Sequence, residues 1–216
     1  MKRDGVSRRR QELLDLSARL FAERGYGATT VRDIADEAGI LSGSLYHHFP
    51  SKEAMVDEIL STFLDDLFSS YREIMARDLG ARQKLEAVVV ESFECIDKHH
   101  HAVAIFQNEA KHLAQSERFS YLNDRGQEFR ALWRQILEEG VRSGAFRPHL
   151  DLDLVFRFIR DTVWVAVRWY RPGGPLSAQN VAAQYLDILL DGISARRGRS
   201  RVANGMSPAV KEKQRA

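Results

Sequence analysis

Proline is scarce in this chain, and its placement sets the frame for everything else. None stands between Met1 and Phe49, and none between Ser51 and Arg147. A proline removes a backbone donor and clashes with the preceding turn, so these gaps leave room for long helices and Pro50 and Pro148 mark where helices stop. Between the stops, apolar residues recur at three- and four-residue spacing, and no strand-like alternation survives. The expected fold is all-α, with about nine helices.

Boundaries follow from the breakers and caps. Ser7 precedes a run carrying Leu13, Leu14, Leu20 and Phe21, which ends at Gly25. Thr30 is the N-cap of the next helix, with Asp33 at the capping-box position, one methylene shorter than the usual Glu, and Gly39 as terminator. A helix from Ser42 ends before Pro50, and Ser51 caps another running from Lys52 to Ala76. Further helices are predicted over 81–99, 102–115, 118–143, 151–171 and 177–196.

Composition excludes several classes. The 216 residues carry a formal net charge of +2, with 44% hydrophobic and 29% charged residues, an ordinary globular balance. No apolar run reaches the roughly 18 residues of a spanning helix, so no membrane partner is expected. The basic N-terminus lacks the apolar stretch of a secretory signal. Cys95 stands alone, which fits a reducing, cytoplasmic setting. Arg196 to Ala216 holds seven of the 32 basic residues but only one of the 30 acidic ones, Glu212. The body is therefore slightly acidic, and the segment 197–216 reads as a basic, disordered tail. Net charge does not argue for nucleic acid; particular residues must.

Those residues lie at 39–55, "GILSGSLYHHFPSKEAM". Two short helices joined by a tight turn containing Gly form a helix-turn-helix, whose second helix lies in the major groove. Leu45 and Phe49, one turn apart, anchor that helix inward. Gly43 has no side chain to hold the backbone off the duplex, Ser42, Ser44 and His47 face the groove, and Tyr46 offers a phenol to a phosphate. Thr30 and Arg32, together with Lys52 at the start of the following helix, are placed for phosphates. The bland reading makes Tyr46, His47 and His48 the polar face of a packed hairpin; as one constellation they point to double-stranded DNA.

The string "TTVRDIADEAGILSGSLYHHFPSKEAMVDEIL" resembles the N-terminal signature of the TetR family of transcriptional regulators, and the match spans residues 8 to 60. The resemblance implies a three-helix DNA-binding unit over 1–50, a helical ligand-binding and dimerisation unit over 51–196, and a homodimer on a pseudo-palindromic operator. Leu41 departs from the pattern, standing where such proteins commonly carry a capping Ser or Thr. Either Ser42 takes the cap over, or Leu41 makes an apolar contact, for instance to a thymine methyl.

In the C-terminal part, "DLDLVFRFIRDTVWVAVRWYR" over 151–171 is the informative stretch. Leu152, Val155, Phe156, Ile159, Val163, Val167 and Tyr170 make a core stripe, and Phe158, Val165 and Trp169 a second apolar strip. The last helix, with Tyr185, Ile188 and Leu189 beside Leu186, Leu190 and Ile193, has the same two-faced character. A helix apolar on two sides buries one in its own subunit and the other in a partner, so a homodimer through these two helices is expected. Arg160, Trp164, Arg168 and Arg171 run between the strips. Cations on an apolar helix need an anion. A pocket for a large apolar ligand with an anionic group, such as a CoA thioester, satisfies that need; so does pairing with Asp161 or Glu109, and both readings stand. Candidate lining residues are Arg160, Trp164, Arg168, Trp133 and Phe106, the last two equally at home in a core. "RFSY…DRG…W" at 118–133 and the 153–179 stretch are similar to TetR-type repressors of actinobacterial cholesterol catabolism. That likeness implies an effector that is a CoA thioester of a steroid ring remnant, contacted by Arg160 and Trp164.

No cofactor is expected. His99, His100 and His101 diverge by roughly 100° per residue on a helix and cannot converge on one metal ion. His101 is expected to pair with Asp97 or Glu109, and Cys95 to be a small core residue. The sequence holds no phosphate-cradling Gly loop, nucleophile elbow or spaced metal ligands, so an enzyme is not expected. A purely architectural DNA binder would not need so large an apolar body set with arginines.

Overall fold

The computed structural model describes residues 2–193, with side chains from Arg8 onward. The basic tail expected over 197–216 lies outside the described residues. Among them are nine α-helices, two short 3-10 turns and no strand.

Helix α1 (Lys2–Arg24) begins before the expected cap at Ser7. It ends at Gly25, whose φ of +88° is a left-handed terminator. Helix α2 (Val31–Glu37) starts with a complete capping box: Asp33 N–H donates to Thr30 Oγ1 at 3.1 Å, and Thr30 N–H donates back to Asp33 Oδ2 at 2.7 Å. The shorter acid closes the box. Gly39 (φ +67°) turns the chain. Helix α3 covers only Ser42–Tyr46 rather than reaching Phe49. Beyond it, His48 and Phe49 both donate to the Leu45 carbonyl, a tightened turn that suits the restriction Pro50 places on Phe49.

Helix α4 (Lys52–Ala76), capped by Ser51, buries ten side chains and forms the central strut. Around it pack α5 (Ala81–Lys98), α6 (His100–Leu113), α7 (Tyr121–Arg142) and α8 (Leu152–Val165), and α9 (Ala178–Ile193) packs on the outer side of α5. The predicted 118–143 helix is divided, with a 3-10 turn at Glu117–Phe119 before α7. The predicted 151–171 helix stops at Val165 and tightens into a 3-10 turn over Ala166–Arg168. Thr162, Val163, Val165 and Val167 crowd this stretch with β-branched side chains, which favour the α-helix least. Phe146 lies flat on α7 at Gly140, where any Cβ would fall 2.0 Å from its ring.

The core runs without a break from α1 to α9. Phe156, Ile159, Val163, Val167 and Tyr170 of the predicted core stripe are buried, while Leu152 and Val155 are only partly covered. The second strip is exposed: Phe158, Val165 and Trp169, joined by Leu154 one turn earlier and by Ile188 on α9, which is 78% exposed. Leu186, Leu190 and Ile193 instead turn inward. Cys95 is a buried core residue whose thiol burial pushes up to about 12.

Candidate nucleic-acid interface and effector cavity

Ile34, Leu45 and Phe49 are almost fully buried and clamp α2 and α3 against α1. The Arg10 guanidinium lies 4.4 Å over the Phe49 ring and pairs with Glu58, fixing the end of the recognition segment to α4. Because its inner residues are so held, α3 presents a definite outer face. Tyr46 is 54% exposed, His47 and Gly43 are exposed, and Ser42 and Ser44 are half-buried. A Cβ on Gly43 would meet nothing within 4 Å, so no neighbouring residue crowds the backbone there. Arg32 extends into solvent, with Asp36 at 3.6 Å as its one ionic neighbour among the described residues. Five of these six residues, Ser42, Gly43, Ser44, Tyr46 and His47, are consecutive or nearly so on or just after α3, and Arg32 opens α2.

Lys52 and Thr30, both expected at phosphates, have partners within the protein. Lys52 Nζ donates to the carbonyls of Tyr26 (2.9 Å) and Thr29 (3.0 Å) and sits 4.3 Å over the Tyr26 ring. It pins the α1–α2 turn, and two carbonyls with an aromatic face satisfy the ammonium that a phosphate would otherwise attract. Thr30 is exposed, but its hydroxyl accepts from Asp33 N–H and donates to Asp33 Oδ2 at 2.6 Å, so it is committed to the cap. The open question at Leu41 also has a structural answer. Leu41 occupies the N-cap with no side-chain cap bond, and Ser42 is the first helical residue.

Behind this unit, α4, α6, α7 and α8 line a half-open cavity of about 640 Å³. Its wall is aromatic: Phe63, Phe106, Phe129, Phe156 and Trp164, with Phe63 and Phe129 each edge-on to Trp164 at 6.1 and 5.9 Å. Arg125, Arg130 and Arg160 add the charge. Arg160 Nε donates to Asp161 at 2.6 Å, which holds that carboxyl below its usual range. Arg125 is braced by Asp65 at 2.7 Å and Glu128 at 2.9 Å and lies 5.0 Å over Phe68. Arg130 has no carboxylate partner among the described residues and lies 5.7 Å from the Phe156 ring. Trp164 is 4% exposed, and its buried Nε1–H has no acceptor among the described residues.

Arg160, Trp164 and Phe106 thus meet in the cavity as expected residues of one site, while two others do not. Arg168 falls in the 3-10 turn, where the change of helical pitch carries it out of the Arg160–Trp164 row and leaves it exposed. Trp133 is buried one layer behind, against Tyr71 and Phe129, and does not line the space. The sequence reading missed the α4 wall (Phe63, Leu64, Leu67, Phe68) and the α7 arginines; only the crowding of Arg125 and Arg130 around Phe129 hinted at them.

It also misassigned Glu109. That carboxylate accepts the Tyr26 N–H at 3.3 Å, linking α6, whose Phe106 lines the cavity one turn earlier, to the turn before α2. The Tyr26 hydroxyl in turn donates to Glu53 at 3.3 Å, and burial with that carboxylate pushes the phenol up to about 12. Asp97 accepts from Tyr170 at 2.5 Å, so neither expected partner is bound to His101. His99 Nε2 instead lies 3.0 Å from Asp66, while the His100 and His101 rings pack edge to face with centroids 5.7 Å apart.

A helix-turn-helix carried on a larger helical body defines a class of DNA-binding regulator, and the comparisons agree. Two family signatures match: bacterial regulatory proteins, tetR family, over residues 13–59, and the Tetracyclin repressor-like C-terminal domain over residues 78–193. The chain belongs to the TetR family of bacterial transcriptional regulators. It is 63% identical over 191 residues to the HTH-type transcriptional repressor KstR2 of Rhodococcus jostii (strain RHA1), covering 88% of this chain and 94% of that one. The structure of the ketosteroid transcriptional regulator KstR2 of Mycobacterium tuberculosis superposes with a TM-score of 0.84 at 59% identity, covering 86% of this chain and 95% of that one. At 21% identity, AibR in complex with isovaleryl coenzyme A and operator DNA shares the fold with a TM-score of 0.72, covering 84% of this chain and 98% of that one. The relatives are named repressors, and this chain is a regulator rather than an enzyme. No described helix is long and apolar enough to cross a membrane.

Proposed function

We propose that the chain is a cytoplasmic, homodimeric repressor released from its operator by a CoA thioester of a steroid-degradation intermediate. Residues 1–50 are the DNA-binding unit and 51–196 the effector and dimerisation unit. Tyr46, Arg32, Gly43, Ser42, Ser44 and His47 face the operator. The exposed strip Leu154, Phe158, Val165 and Trp169, with Ile188, is the dimer face, because apolar side chains this large and this numerous call for cover. Paired recognition helices on one face of the duplex then sit about 34–36 Å apart.

One observation carries the effector reading: a cavity with aromatic walls is lined by three arginines, Arg125, Arg130 and Arg160. Aromatic walls suit a fused-ring remnant, and the arginines suit phosphate or carboxylate. Support from outside the chain is the naming of KstR2 as a ketosteroid regulator and the isovaleryl coenzyme A bound by AibR. Filling the cavity displaces Phe106 and the α4 wall; Glu109 and the Arg10–Glu58 pair pass the change to α2 and α3. The effector must bind the DNA-incompetent spacing better, since equal affinity shifts nothing.

The test is a gel shift on the region upstream of the chain's own gene, titrated with steroid-derived CoA thioesters, acetyl-CoA and free CoA. Release by the ring-bearing thioester alone is expected. Equal release by isovaleryl-CoA or other acyl-CoAs would assign the chain to another acyl-CoA pathway. Binding that no thioester disturbs would leave an architectural DNA protein.

A further inference from the structure

The first turn of a helix has free N–H groups, and a Ser, Thr, Asp or Asn at the N-cap normally satisfies one of them. Helix α3 has Leu41 there. Its backbone is extended (φ −73°, ψ 143°), its carbonyl accepts from Ser44 N–H at 2.8 Å, and its side chain caps nothing. Nor does the side chain pack. Ile40 turns inward against the core, and in an extended segment the next residue turns the other way. Leu41 is 81% exposed, more than any other large apolar residue described. The others are Tyr46 on α3 itself, the strip assigned to the dimer, and Leu176 in the segment leading into α9. Leu41 therefore stands alone as an aliphatic group at the leading end of the recognition helix, with Gly43 two residues on adding no bulk beside it.

A leucine can neither hydrogen-bond a base edge nor hold a phosphate. In the major groove the apolar group on offer is the C5-methyl of thymine, and the N-terminal residues of a recognition helix meet the base edges. We propose that Leu41 is a specificity residue that reads one thymine in each operator half-site by covering its methyl group. This rests on the DNA-binding reading above.

Fluorescence anisotropy of the full chain tests it, using the duplex footprinted upstream of its own gene, unmodified or with each thymine replaced in turn by deoxyuridine. That swap deletes the methyl and keeps the pairing. Wild type should lose about fourfold at one position per half-site, the size of one buried methyl. Leu41→Ala should bind the unmodified duplex correspondingly less well and be indifferent to the swap at that position. Leu41→Ser, which restores a cap, should melt no lower than wild type yet bind no better than Leu41→Ala, separating base contact from helix stability. The proposal is overturned if no swap weakens wild type, or if every swap weakens Leu41→Ala equally. Failure of wild type to bind any unmodified duplex overturns the DNA-binding reading itself, a distinct result.

Discussion

The recognition segment and the cavity use similar residues, aromatics and polar or basic groups, but assemble them in opposite ways. The first takes neighbours in the chain, from Leu41 to His47, and displays them on five residues of helix whose inner side is nailed down by Leu45 and Phe49. The second collects side chains from Phe63 to Trp164 across four helices and points them inward. A contiguous display tolerates change in the body behind it, whereas a convergent cavity depends on every helix that lines it. The difference also separates two kinds of failure, loss of operator binding and loss of response.

The largest effect should come from the body. Gly140→Ala drives a methyl into the Phe146 ring and should cost about 3 kcal/mol, lowering the thermal midpoint by roughly 6–12 °C. A midpoint within a degree of wild type would mean that Phe146 packs elsewhere. Arg160→Met removes a charged donor from the cavity alone. Operator affinity should stay within twofold while the effector concentration for half-release rises about tenfold or more. A normal response would make Arg160 structural, tied to Asp161.

On the display side, Tyr46→Phe should weaken all operator variants alike, by roughly tenfold over two half-sites, in anisotropy at fixed salt. His47→Ala should instead relax preference at one base position, and uniform weakening would show that it reads no base. Glu109→Ala asks whether the two regions communicate through α6. Bare operator binding should hardly move while release needs about fivefold more effector, the worth of one hydrogen bond. Unaltered release would route the signal through α4 alone.

The smallest effect is a pH dependence of stability. His99, His100 and His101 are held below the ordinary imidazole value of 6.5, chiefly by burial. The unfolded chain therefore binds these protons more readily, so stability is full above about pH 6.5 and declines as the pH falls below it. Calorimetry between pH 7.5 and 5.5 should show the midpoint falling, and His100→Gln should flatten the slope; an unchanged slope would clear His100 of that role.

Legibility in the sequence follows the same division. Gly25, Gly39, Thr30, Ser51 and Pro50 are local signals acting within a few residues, so the start and stop of α2, and the entry into α4, could be read directly. Leu45 and Phe49 announced which side of α3 faces in. Periodicity could say that Trp133 and Trp164 are both apolar and helical, but not that one lies behind Phe129 and the other beside open space. It treated Arg160 and Arg168 as one row because it had no knowledge of the pitch change after Val165. Lys52 resembled an anion site until the carbonyls of Tyr26 and Thr29, supplied from another turn of the chain, took up its ammonium.

The sequence alone determined an all-helical chain, the helix-turn-helix and the outward face of its second helix, because capping, breaking and amphipathic spacing act over one or two turns. Which aromatics enclose a cavity, which arginines enter it, and how Glu109 ties α6 to Tyr26 were decided only by the tertiary structure. Those contacts join residues far apart in the chain, and their existence depends on helix positions set by the packing of the whole core.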